Sequence, residues 1–361
     1  MKIRSIDTFP VAVPLKKPFK TALRTVHTAD AIYVKATSEN GSVGWGEAVP
    51  THVITGESFG SLTYVIQEVL APRLIGMDIR YREALFERLT RSIIGNTSAK
   101  AAIDMAIYDL WGQLAGMPLY QLLGGYRQEV ETDYTVSVDN PQTMAEDAER
   151  YIAEGFHSLK VKVGIGEIRD DLERIRAIRE RVGNKPKIRL DANQGWQPKE
   201  AVLAIRKMED AGFDIELVEQ PVHADDLEGL KFVTDQTGTP IMADESMFSA
   251  NDALRICQLR AADLLNIKLM KSGGIREALN INAIAEAHGI QCMVGSMIET
   301  KLGVTAAAHF AASQPNITSY DFDAPLMLAS DPVSGGILYS KSKIRLPGGP
   351  GLGVHQIKDI G

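Results

Sequence analysis

Ile188-Arg189-Leu190-Asp191-Ala192-Asn193 is a short apolar run that ends in an acid, and the pattern then repeats. Leu217-Val218-Glu219-Gln220-Pro221 and Met242-Ala243-Asp244-Glu245 follow it, so that Asp191, Glu219 and Asp244 stand 28 and 25 residues apart. Each interval is the length of one strand-plus-helix unit, and Pro198 to Ala211 between the first two has helical spacing. Working outward, strands are predicted at 132–138, 158–163, 188–191, 215–219, 241–243, 264–268, 291–294 and 318–321. Eight strands alternating with helices such as Pro141 to Glu154 predict an α/β fold: a modified TIM barrel, (β/α)7β, rather than an open sheet.

A strand of such a barrel is covered on both faces, so a charge within it is costly unless it lies at the strand end. In Ser158-Leu159-Lys160-Val161-Lys162-Val163, period two puts both lysines on one side. Alone, this reads as a solvent-facing strand edge; in a barrel it does not, because the second strand has no solvent face. Asp191, Glu219 and Asp244, one per strand end, supply hard oxygen donors that suit Mg²⁺, whereas zinc calls for histidine or cysteine beside them. Three unrelated helix-capping acids are the alternative, and Glu219 is a poor cap. The sixth strand ends in Lys268, across the barrel from Lys162, which places one amine on each face of a bound substrate. The eighth runs into Asp321-Phe322-Asp323, two acids pointing the same way and suited to a cationic group; a turn before Pro325 is the competing reading.

Before the barrel, alternation at Lys2 to Val13, Ala31 to Ala36 and Ser42 to Glu47, with a turn at Glu39-Asn40-Gly41, predicts an antiparallel meander. Helical spacing takes over from Leu62 to Gly125, clearest in Ala99 to Leu114. The expected organisation is therefore an α+β capping domain over 1–125, the barrel over 126–330, and a tail over 331–361 that packs back on the capping domain. The chain has 361 residues, 45% hydrophobic and 24% charged, with a net charge of −7, which gives nucleic acid or an anionic membrane no electrostatic reason to bind. Two cysteines, Cys257 and Cys292, lie in apolar runs and read as buried reduced thiols. No signal peptide or membrane span is apparent, so a cytoplasmic protein acting on a small molecule is expected.

Taken as a set, Lys160-Val161-Lys162, Leu190-Asp191-Ala192-Asn193, Val218-Glu219-Gln220-Pro221, Ala243-Asp244-Glu245 and Lys268-Leu269-Met270-Lys271-Ser272-Gly273-Gly274 resemble the enolase superfamily, and within it the muconate-lactonizing subgroup. The resemblance covers essentially the whole chain. It implies that Asp191, Glu219 and Asp244 hold one Mg²⁺, that Lys162 and Lys268 are paired acid/base groups, lowered in pKa by the metal and by Lys160, and that Lys160 is an electrostatic partner of the substrate carboxylate. The family's dipeptide epimerases carry an Asp-x-Asp like Asp321 and Asp323 for the substrate ammonium. Arg24, in a loop expected at Lys16 to Thr28, resembles the residue that meets a glutamate side chain. Thr135, Ser296 and the backbone amide of Ile298 are further substrate contacts on this reading, and His52 to Ser58 resembles a mobile lid.

The implied activity is epimerisation of dipeptides at the C-terminal residue, L-Ala-D-Glu to L-Ala-L-Glu in cell-wall peptide metabolism, by a homo-oligomeric isomerase. The same catalytic set serves epimerases of other dipeptides, N-acylamino acid racemases, o-succinylbenzoate synthase and muconate cycloisomerase. The last two act on substrates without an ammonium, leaving Asp321 and Asp323 without a counter-charge. A sugar-acid dehydratase is disfavoured by Lys268 and by the lack of a His/Asp base pair.

Overall fold

A computed structural model describes residues 1–358; the last three residues of the expected tail lie outside the described residues. Three antiparallel strands, β1 (Ile3–Lys20), β2 (Thr25–Ser38) and β3 (Val43–Ala48), open the chain in the order β1-β2-β3. The expected loop at Lys16 to Thr28 is mostly strand. After an irregularity between Pro14 and Phe19, β1 and β2 pair again at Phe19↔Val26, leaving only a tight turn at the tip. Pro14 and Pro18 have no N–H to give the ladder, which explains the interruption. Phe19 packs with Val13, Ala29, Ile298 and Leu328, which explains why pairing resumes.

The helix Thr97–Ala115 lies flush on β3, because Gly44 and Gly46 present no Cβ where the carbonyls of Ala106 and Ala102 approach. Its first turn is capped from a distance: Glu57 accepts the Ser98 and Ala99 N–H groups at 3.0 and 3.1 Å.

The expected first barrel strand is divided. β4 (Glu129–Glu131) leaves the barrel to pair with the tail, and only β5 (Tyr134–Val136) joins the parallel sheet, because Asp133 between them turns into the interior to meet Arg189 at 2.9 Å. β6 (Ser158–Lys162), β7 (Lys187–Asp191), β8 (Ile215–Glu219), β9 (Ile241–Ala243), β10 (Leu264–Ile267), β11 (Gln291–Val294) and β12 (Ile317–Tyr320) follow in spatial order. Helices join each strand to the next, giving the (β/α)7β succession. The curled sheet is drawn together where Asp133 N–H donates to Tyr320 O at 3.3 Å.

Strand parity stacks the interior in layers. Arg189, Leu217, Met242 and Met293 fill the floor; Asp191, Glu219 and Asp244, two residues further along the first three of these strands, stand above them. In the tail, β13 (Val333–Gly335) pairs with β16 (Val354–Ile357), and the hairpin of β14 (Leu338–Ser340) and β15 (Lys343–Arg345) extends from β4. Leu352 N–H donates to Asp109 of the capping helix at 2.9 Å, and Leu119 N–H to Gly351 O at 2.8 Å. Both cysteines are buried, free thiols.

Candidate active site

Three registers bring the charged strand ends level. Lys162 stands opposite Asp191, Asp191 opposite Glu219, and Glu219 opposite Met242, two residues before Asp244. Asp191, Glu219, Asp244, Lys160, Lys162 and Lys268 are all buried. Lys160 Nζ lies 3.0 Å from Asp191 Oδ2, 2.8 Å from Glu219 Oε2 and 2.8 Å from Asp321 Oδ2. Lys162 Nζ is 2.5 Å from Asp191 Oδ2, and Lys268 Nζ is 2.6 Å from Asp244 Oδ2. The two amines thus rise from β6 and from the end of β10, with the acids on β7, β8 and just past β9 between them.

The donor set suits a hard divalent cation. All three acids offer carboxylate oxygens, and one ammonium, that of Lys160, reaches two of them at once, so they converge on a point that favours positive charge. Among the described residues no three His, Cys, Asp or Glu side chains form a ready cage, since the acids are turned toward the amines.

The electrostatics follow. Burial pushes the Glu219 carboxyl up to about 7, Asp191 adding to the shift and Lys160 opposing it. Burial works against charge on Asp191 and Asp244 too, but the surrounding lysines outweigh it and hold both below the usual carboxylate range. Burial likewise opposes the charge of Lys268, yet Asp244 outweighs it and keeps the amine above the ordinary lysine range. The expected lowering at Lys268 is therefore not seen with this arrangement of charges: the carboxylates that a cation would neutralise are pulling on the amine instead.

The other expected residues converge on the same cavity, which Arg24, Thr135, Lys160, Lys162, Lys268, Ser296, Ile298, Asp321 and Asp323 all line. Arg24, in the turn of the β1–β2 hairpin, makes no hydrogen bond through its guanidinium among the described residues; only the field of Asp30 opposes its burial. Ser296 Oγ donates weakly to Asp321 O at 3.4 Å, and the Ile298 N–H has no acceptor among the described residues. Asp323 Oδ2 accepts the Thr135 N–H at 2.6 Å, and burial, reinforced by Asp321, pushes its carboxyl up to about 7. Val53 and Ile54 of the expected lid also reach this cavity, on a turn wound around Thr51 O.

Three supporting residues carry no role in the sequence reading. Lys271 is buried, 2.6 Å from Asp244 Oδ1, and donates to the carbonyls of Met247 and Asn266. Gln220, at φ +38°, accepts the Asp244 and Ser246 N–H groups at 2.9 and 3.2 Å and so shapes the loop that bears the third acid. Asn266 donates to Glu219 Oε1 at 2.9 Å; standing two residues before Lys268, it shares that residue's side of the strand, the one sequence signal that could have found it.

Comparison with known proteins finds relatives over nearly the whole chain. Residues 3–124 match the mandelate racemase / muconate lactonizing enzyme N-terminal domain, and residues 143–359 the enolase C-terminal domain-like family. The chain is 62% identical to the L-Ala-D/L-Glu epimerase of Bacillus subtilis over 98% of its own length and 97% of the relative's. It is 48% identical to the hydrophobic dipeptide epimerase of Enterococcus faecalis, covering 98% and 99%. The substrate-liganded structure of the Bacillus subtilis epimerase superposes with a TM-score of 0.97, covering 98% of this chain and 99% of that one. The Enterococcus faecalis dipeptide epimerase complexed with Mg and L-Leu-L-Tyr superposes with a TM-score of 0.96 at 47% identity, covering 99% and 100%. With the two family models together spanning most of the chain and a relative 62% identical over 98% of it, the chain belongs to the enolase superfamily.

Proposed function

We propose that the chain is an isomerase that epimerises dipeptides at their C-terminal residue, interconverting L-Ala-D-Glu and L-Ala-L-Glu in cell-wall peptide metabolism. The observation that carries this reading is the placement of Lys162 and Lys268 on opposite sides of the acids, in one cavity with the Asp321 and Asp323 pair. The similarity to the Bacillus subtilis L-Ala-D/L-Glu epimerase supports the choice of dipeptide.

Asp191, Glu219 and Asp244 would hold Mg²⁺, which supplies positive charge beside the substrate carboxylate when bound. Lys160, buried between two of these acids, keeps further positive charge at that end of the substrate. Asp321 and Asp323 take the α-ammonium, and the unpaired guanidinium of Arg24 takes the side-chain carboxylate of the second residue. One lysine, as the free amine, accepts the α-proton; the other, as ammonium, delivers its proton to the opposite face of the same carbon, so configuration inverts and no net proton is consumed. In the reverse direction the two exchange roles. A substrate without an ammonium leaves the buried Asp323 uncompensated, which disfavours a lyase or cycloisomerase.

The net charge of −7 supports a small-molecule rather than nucleic-acid or membrane partner, and two reduced thiols support a cytoplasmic setting. Among the described residues no helix is long and apolar enough to cross a membrane.

The test is L-Ala-L-Glu in D₂O with Mg²⁺. The wild type inverts the second residue and exchanges its α-proton; Lys162→Ala and Lys268→Ala each lose inversion, while exchange from a single face survives in one of them. Inversion at the wild-type rate by either variant rules out the two-base assignment.

A further inference from the structure

A second, larger cavity of about 620 Å³ adjoins the first, and Phe19, Thr135 and Met327 line both. It lies between the tip of β1, the helix Pro141–Ala153 and the tail hairpin. The partition is thus at Thr135, whose N–H holds Asp323. A substrate whose ammonium rests on Asp323 has its first α-carbon beside this partition, and the side chain on that carbon has the second cavity to enter.

The walls of that cavity are rich in positive charge and hydroxyl groups. Asp147 is already paired twice, with Lys17 and with Arg150 at 2.7 Å, and Glu154 lies 3.9 Å from Arg150. Two ammonium groups are left over. Lys16 Nζ donates to Leu326 O at 2.9 Å and meets no carboxylate among the described residues. Lys341 has no hydrogen bond or ion pair there at all. Its backbone is also strained: Lys341 sits at φ +57° in the turn of the β14–β15 hairpin, where glycine or asparagine is the ordinary choice. Its methylenes lie over Gly155, where an added Cβ would meet them.

We propose that this cavity receives the side chain of the substrate's first residue, and that Lys16 and Lys341 fit it for an anionic one, so that dipeptides beginning with glutamate are substrates. The inference rests on Asp321 and Asp323 holding the ammonium, and the two are separable by experiment. Three substrates that differ only at the first position decide it: L-Ala-L-Glu, L-Glu-L-Glu and the neutral isostere L-Gln-L-Glu, each read by α-proton exchange at the second residue in D₂O with Mg²⁺.

The wild type is expected to use L-Glu-L-Glu about five-fold better than L-Gln-L-Glu in kcat/KM, the upper end of the range for an exposed charge pair. Raised ionic strength reduces the ratio. Lys341→Gly, which suits a positive φ and keeps the turn, lowers the ratio several-fold, and combining it with Lys16→Gln brings it to about one, while L-Ala-L-Glu changes less than about two-fold. A ratio near one in the wild type, or a ratio that persists in the double variant, overturns the assignment. Failure to turn over L-Ala-L-Glu at all would instead strike at the parent reading.

Discussion

Asp323→Asn separates charge from geometry at the ammonium site. The amide oxygen can still accept the Thr135 N–H that Asp323 Oδ2 accepts at 2.6 Å, so the strand end keeps its place while the negative charge is lost. Removing one partner of a buried charged pair costs about 2–5 kcal/mol, so at pH 8 kcat/KM for L-Ala-L-Glu should fall at least about thirty-fold. The pH dependence is sharper than the magnitude. Burial first, and Asp321 second, push the Asp323 carboxyl up to about 7, so in the free protein it is mostly ionised at pH 8 and about one-tenth ionised at pH 6. The wild type therefore loses most of this advantage at pH 6, whereas the variant has none to lose, and the thirty-fold gap should shrink to about three- or four-fold. Taking the ratio of wild type to variant at each pH cancels whatever the lysines contribute to both profiles. N-acetyl-L-Ala-L-Glu, lacking the ammonium, should show no such gap. A gap unchanged between pH 8 and pH 6, or one equally large for the acetylated substrate, would refute the assignment of Asp323.

If the strand-end acids hold Mg²⁺, the ion should raise the thermal midpoint of the wild type, since binding at a hundred times Kd adds about 2.7 kcal/mol, and Glu219→Gln should largely abolish that shift; an undiminished shift places the ion elsewhere. His309 should make the protein acid-sensitive: its buried Nδ1 accepts the Tyr120 N–H at 2.9 Å, and burial lowers its pKa to about 3. Between an unfolded value near 6.5 and that folded value the unfolded chain binds the extra proton, so stability falls as pH falls, by about 2.7 kcal/mol at pH 4.5. His309→Gln should flatten the change in urea midpoint between pH 7 and 4.5, and an unaltered slope would show that other groups govern it.

The strand-end residues were legible in the sequence because a two-residue period and a one-unit interval suffice to place Asp191, Glu219, Asp244, Lys160, Lys162 and Lys268. Neither property depends on the rest of the fold. The β1–β2 hairpin was not legible in full: Lys16-Lys17-Pro18 reads as a loop, and only Phe19 seated in a cluster with Ile298, far along the chain, restores the pairing. The division of the first barrel strand had the same origin, since Asp133 turns inward to an arginine 56 residues away. Arg24 could be assigned only through resemblance, because nothing in its neighbourhood says that the hairpin tip overhangs the barrel mouth. Lys271 and Gln220 went unassigned for a different reason: they act on the backbone of the loop after β9, and a helix residue and a strand-end amide carry no periodic mark of that role.

The charges of the site suggest why these residues come as a set. Asp191, Glu219, Asp244, Asp321 and Asp323 are five buried acids, and Lys160, Lys162, Lys268 and Lys271 are four buried amines. Burial holds Glu245 and Glu299 near 8, so both are neutral at pH 7 and stand outside the balance. A cation beside Glu219 and an ammonium beside Asp323 favour the charged forms of both, and the five acids and four amines then sum to one negative charge, which a divalent cation would turn into one positive charge in excess. A zwitterionic dipeptide head, with an ammonium on Asp323 and a carboxylate beside Lys160, leaves the total where it was. Neutrality is then reached when a single lysine gives up its proton, and a buried low-dielectric site favours that state. With Mg²⁺ and the dipeptide head bound, the arrangement would favour one free amine and keep the opposing ammonium, the two protonation states that a proton transfer between opposite faces of a carbon requires.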